Sequence, residues 1–177
     1  SLHDALPISK VRRTGSRKRG IEQVQTTWVK DYEISIQEAP DYHWYSYDSK
    51  NYDKVFHLTS AEDFTRTILL TIKRAHQEKK VVLVVPYYTI VDHCALPAGN
   101  RLFLMLNDLL CLFNLESLDI DKQQKLDTIG TMFASYPYKQ DFILYGELDI
   151  FRVTSNLSIQ WQFSGKDIFV SYNDDAP

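Results

Sequence analysis

LFLMLNDLLCLFNL, residues 102–115, decides the fold. Read as one element it is a buried helix; read as two it is a hairpin turning at Asn107-Asp108. Seven leucines with Met105 and no β-branched residue favour the helix. Leu102, Leu106, Leu109, Leu110 and Phe113 then form its inner stripe. Phe103, Leu104, Met105 and Leu112 leave few polar positions, so the helix is expected either to be well buried or to make a contact between copies of the chain.

Two more helices are expected around it. Upstream, Thr59-Ser60-Ala61-Glu62 has the spacing of a capping box, and Phe64, Ile68, Ile72 and Ala75 follow at helical spacing, with Glu62 and Arg66 as an i, i+4 pair. A helix over residues 61–79 is predicted. Downstream, Asp119 or Asp121 caps a third helix, with Leu126, Ile129, Met132 and Phe133 inward and an end before Pro137.

The remaining segments read as strands. Residues 28–36 place Tyr32, Ile34 and Ile36 on one face. After Ala39-Pro40, residues 42–47 form a second strand, paired antiparallel. Val81 to Val85 is apolar and β-branched, as expected of a strand buried on both faces near a sheet centre and ended by Pro86. Residues 87–98 read as irregular. At the C-terminal end, residues 142–153, the alternating Leu157, Ile159, Trp161 and Phe163, and residues 168–172 form a three-stranded antiparallel meander. The predicted class is α+β, a mostly antiparallel sheet with about three helices on one face; no internal repeat is apparent.

With 177 residues, 44% apolar and 13% aromatic, the chain is expected to form a single domain over residues 21–177. Residues 1–20 read as a basic, disordered leader, with six Lys or Arg against one Asp; SLHDALPIS at residues 1–9 resembles translated adapter sequence and is expected to be non-native. The other 14 basic residues face 22 acidic ones, so the body is expected to be acidic, to repel nucleic acid and to favour a basic protein partner. No apolar run reaches the roughly 18 residues of a membrane span. Cys94 and Cys111 read as reduced buried thiols, and a cytoplasmic location is expected.

Catalytic and metal signals are weak. Asp92-His93-Cys94 sets an acid, a base and a nucleophile side by side, but neighbours in sequence diverge in space and no thiol-enzyme signature surrounds them. His43, His57, His76 and His93 lack ligand spacing, Asp119-Ile120-Asp121 lacks the rest of a calcium loop, and no glycine-rich phosphate loop occurs, so neither metal nor cofactor is expected. Asp141, Glu147 and Asp149 lack the complement of a metal-dependent nuclease.

The candidate surface is DYHWYSYDSKNYDKVF, residues 41–56. As a strand it carries aromatics on both faces, either covered as a cross-strand ladder or offered to a partner. On the second reading Asp41, His43, Tyr45, Tyr47, Asp48, Tyr52 and Asp53 bind a basic protein, the rings holding and the carboxylates steering. In charge and organisation only, the chain resembles the small α+β immunity proteins with which bacteria neutralise toxins; the resemblance implies occlusion of a macromolecular partner and assigns no residue. The rival readings are a hydrolase using Cys94 or His93, and an oligomeric component joined through residues 102–115.

Overall fold

A computed structural model describes residues 24–39, 42, 47–59, 65–86 and 94–166, with Tyr47, Asp48 and Pro86 described in their backbone alone. Among these residues the α+β expectation fails: the regular structure is strand, apart from a 3-10 turn at Tyr47–Asn51. The first sheet contains β1 (Gln25–Val29), β2 (Tyr32–Glu38), β3 (Lys54–His57), β4 (Thr65–Arg74) and β5 (Gln77–Pro86), in the order β1-β2-β4-β5-β3. A middle sheet runs β6 (Ala95–Ala98), β7 (Arg101–Leu106), β8 (Leu109–Asn114), β9 (Asp119–Lys125). The third runs β10 (Met132–Tyr138), β11 (Asp141–Gly146), β12 (Asp149–Thr154), β13 (Ile159–Ser164). All pairings are antiparallel except that of β3 with β5.

Residues 102–115 form a hairpin. β7 and β8 pair from Arg101 opposite Asn114 to Leu106 opposite Leu109, and the chain reverses at Asn107-Asp108 with Asn107 left-handed at φ 59. Asparagine tolerates that conformation better than most residues, which is why the turn falls there. The uniform apolarity comes from two-sided burial. Leu102, Leu104, Leu106, Cys111 and Phe113 pack into one core with Ile34, Leu70 and Leu83 of the first sheet. Phe103, Met105, Leu110 and Leu112 pack into another with Phe142, Leu144 and Phe151 of the third. Each of these side chains stabilises the fold by about 1.5–3 kcal/mol through burial. Period-2 alternation is present in space, but both of its phases are apolar.

The helix expected over residues 61–79 is overturned from Thr65 onward, where β4 and β5 make a ten-rung antiparallel hairpin from Thr65 opposite Pro86 to Arg74 opposite Gln77. Residues 60–64, which hold most of the capping box, lie outside the described residues. A spacing of four fits both structures, because i and i+4 share a strand face as well as a helix face. Ile68, Leu70 and Ile72 are buried while Thr67, Leu69 and Thr71 are half-buried, the alternation of a strand. The third helix is overturned too: Asp119–Lys125 is the outer strand β9, and Met132–Tyr138 is β10. Leu126 and Met132 are buried, but Ile129 is 77% exposed, so the supposed inner stripe splits between inside and outside.

Several strand expectations hold with adjusted boundaries. Tyr32, Ile34 and Ile36 are buried together on β2, although Trp28 belongs to β1 across a turn at Lys30-Asp31. Val81 to Val85 are fully buried in β5, which is next to the edge strand β3 and not central. Residues 142–153 are two strands, β11 and β12, broken at Glu147-Leu148. With β10 and β13 they form a four-stranded meander, and residues 168–172 lie outside the described residues. Part of the segment read as irregular is the strand β6.

The middle and third sheets repeat one another. Arg101 and Asp141, Leu109 and Asp149, and Asp119 and Ile159 begin corresponding strands, each pair 40 residues apart. The tight turns before them correspond as well, with Gly99 at φ 67 and Lys139 at φ 56. Strand β6 contacts both β1 and β10, so the first strand of each sheet lies along one side of the stack. On the opposite side β9 and β13 are edge strands, and β13 is exposed throughout.

Candidate binding surface

The segment singled out by its aromatics is used largely for packing where it is described. Asp41, His43 and Tyr45 lie outside the described residues, and Tyr47 and Asp48 belong to the 3-10 turn by backbone and not to a strand. Tyr42 is buried and meets Tyr52 edge to face at 5.8 Å, and with Ala39 and Val55 they cover Val82 and Val84 on the outer face of the first sheet. Asp53 accepts hydrogen bonds from Lys79 Nζ and from the Lys80 amide, both at 2.8 Å. The Lys79 bond, then the Lys80 amide, hold its carboxyl below the ordinary aspartate range. Tyr52 and Asp53 thus sit side by side, with a ring facing a ring and a carboxylate facing a lysine.

Among the described residues, neither cysteine has the surroundings of a nucleophile. Burial pushes the Cys111 thiol up to about 12, which leaves negligible thiolate at neutral pH. Cys94 is buried and donates to Gln25 Oε1 at 3.0 Å; Asp92 and His93 lie outside the described residues. Neither thiol is therefore expected to react with a maleimide reagent in the folded protein at pH 7.5, and both should do so in denaturant, read by intact mass. Fast native labelling would revive the hydrolase reading.

The carboxylates of the third sheet are also committed to structure. Asp141 pairs with Arg152 at 2.7 Å. Asp149 is fully buried and takes hydrogen bonds from Thr128 Oγ1 at 2.6 Å, the Ile129 amide at 3.0 Å, Gln162 Nε2 at 3.2 Å and Ser164 Oγ at 2.5 Å. Burial alone would raise its pKa, but the donors, led by Ser164 and Thr128, outweigh it and the net shift is downward. Asp149 therefore ties the loop entering β10 to the outer strand β13. No group of three potential metal ligands occurs among the described residues, and none of their helices is long and apolar enough to cross a membrane.

A half-open cleft of about 310 Å³ lies between the first sheet and the β8–β9 turn, lined by Tyr32, Ile72, Arg74, Lys79, Leu115 and Glu116. Its cations are already engaged: Arg74 donates to Asp31 at 2.6 Å and to the Tyr32 hydroxyl at 2.9 Å, and Lys79 to Asp53. Little is left there to recognise an anion.

The outer face of the third sheet differs. Antiparallel register sets Tyr136, Ile143, Arg152 and Trp161 in one row across four strands, and Tyr145, Ile150 and Phe163 in the next. Tyr136, Trp161 and Phe163 are 39%, 43% and 58% exposed. Phe133 is exposed as well and meets Tyr145 with ring centroids 5.8 Å apart. Arg152, at the centre, is neutralised by Asp141 and lies 5.3 Å from the Tyr138 ring. The face is aromatic, nearly uncharged and fixed on strands. Sequence reasoning saw the alternation of Ile159, Trp161 and Phe163 but read it only as a strand of the C-terminal meander. Three aromatic or aliphatic residues alternating on the last strand of a meander were the available signal.

No protein-family model matches the chain, and no curated protein matches it. The resemblance to immunity proteins rested on α+β organisation as well as charge, and the all-β fold removes its structural half.

Proposed function

We propose that the protein works by binding another polypeptide and that the outer face of the third sheet is its contact surface. One observation carries this reading: Tyr136, Trp161 and Phe163 stand exposed in adjoining cross-strand rows around an arginine whose charge is already matched. Rigid aromatic side chains supply contact area at small entropic cost, and burying them on association is favourable. Convergent acid, base and nucleophile groups are lacking among the described residues, so a binding role fits better than the hydrolase. The run at residues 102–115 is enclosed between sheets and presents little surface to a second copy.

A photoreactive phenylalanine placed at position 161 or 163 tests the reading in cells. A discrete protein adduct is expected from either position and not from position 123 on exposed β9. Equal adducts from all three, or none from the third sheet, would reject the contact surface.

A further inference from the structure

Among the described residues six strands lie at the margins of the three sheets, and five of them are guarded against further pairing. β1, β6 and β10 lie side by side, and β6 and β10 carry Pro97 and Pro137, which cannot donate to a ladder. β3 is four residues long with Lys54 and His57, and β9 carries Asp119, Asp121, Lys122 and Lys125. Charge, shortness and proline are the means by which edge strands avoid adding a neighbour. β13 has none of them: IQWQFS contains no charged residue and no proline, and all six positions are exposed. Its irregularity is a bulge at Gln160, where Arg152 pairs with Trp161 and Val153 with Ile159, so Trp161 to Ser164 stay regular.

The ladder fixes which backbone groups this edge offers. The Gly165 amide donates to the Leu148 carbonyl at 2.7 Å, one rung beyond Asp149 opposite Ser164. Hydrogen-bonded and non-bonded pairs alternate along antiparallel strands, so Trp161 and Phe163 bond to β12 whereas Gln162 and Ser164 turn amide and carbonyl outward. No strand of the described residues pairs with those outward groups. The side chains of the same two residues bond to Asp149, which holds the edge extended before anything binds. We propose that the edge of β13 is a strand-addition site for the partner. On the binding reading above, on which this rests, the partner supplies an uncharged extended segment that lies along Trp161 to Ser164 as a fifth strand of the third sheet. Its backbone bonds to Gln162 and Ser164, and the strand period of two sorts its side chains. Apolar ones beside Trp161 and Phe163 extend the outer-face rows, and polar ones fall beside Gln162 and Ser164. One polypeptide thus meets both the face and its edge.

Proline at an outward position tests this, because it removes an amide that the sheet itself does not use. Gln162→Pro is expected to cut the adduct formed by the photoreactive residue at position 161 at least about tenfold. Gln162→Ala loses the same side chain but keeps the amide, and its adduct should stay within about twofold of the unaltered chain. If Gln162→Pro lowers the thermal midpoint further than Gln162→Ala does, Ser164→Pro and Ser164→Ala, at the end of the strand, are read in the same way. An adduct that survives proline, or that falls equally with alanine, would overturn strand addition and leave the contact surface standing. An adduct joining two copies of this chain would overturn the assignment of the edge to another polypeptide. No adduct in the otherwise unaltered chain would reject the binding reading and the strand-addition site with it.

Discussion

Replacing Phe103 with alanine is expected to destabilise the fold by about 3–5 kcal/mol, lowering the thermal midpoint by about 10 °C. Phe103 is fully buried on the face of the middle sheet that meets the third sheet, with its ring stacked on Phe142 at 4.3 Å. Truncation opens a cavity between two sheets whose backbones are held by their own ladders and relax little into it. Ile129→Ala is the paired control. A helix over this region would bury Ile129, whereas in the structure it is 77% exposed on a loop, so its truncation should change stability by less than about 0.5 kcal/mol. Thermal unfolding of both variants checks the architecture, and comparable losses would contradict it.

Loss of the Asp149 carboxylate comes next in size. Asp149→Ala strips four donors of their common acceptor in a buried setting, and charge-assisted bonds of this kind make a cost of about 2–4 kcal/mol reasonable. A pH dependence accompanies it. The folded-state pKa lies below the ordinary aspartate value, so the unfolded chain binds the proton more readily than the native one. The stabilisation is therefore present above that value and is lost as pH falls through it towards the folded pKa. Urea unfolding between pH 7 and pH 2.5 should show a fall at acid pH that is shallower in Asp149→Asn, whose amide does not titrate. Identical acid slopes for the two proteins would exclude the assignment. Asp31 and Asp53 are also lowered, by Arg74 and Lys79; their exposed pairs contribute less because water screens them, and they contribute in both proteins.

Part of this organisation was legible in the residues. Val81 to Val85 could be recognised as a doubly buried strand because β-branching and apolarity coincide in a short run. Tyr32, Ile34 and Ile36 gave away their shared face by alternation. Residues 61–79 failed for a geometric reason: a four-residue spacing does not separate strand from helix, and the better guide was the run of Thr65, Thr67, Ile68, Thr71 and Ile72, all β-branched. The repeat escaped because its units keep strand length and turn position while their residues differ, apart from markers such as Pro97 and Pro137.

The proposed binding surface was less legible. Tyr52 and Trp161 are both large aromatics next to polar residues, yet Tyr52 lies against Tyr42 and Trp161 faces outward. Nothing local distinguishes them, since exposure depends on what another part of the chain lays over each face.

The sequence by itself determined where apolar mass is concentrated, that Asn107-Asp108 suits a turn, and that Cys94 and Cys111 sit in apolar surroundings. Tertiary structure alone decided that LFLMLNDLLCLFNL is two strands. A segment covered on one side shows its period through the polar residues on the other, but this hairpin is covered by the first sheet on one face and the third on the other. Burial on both sides erased the polar half of the pattern, and with it the sign that separates strand from helix.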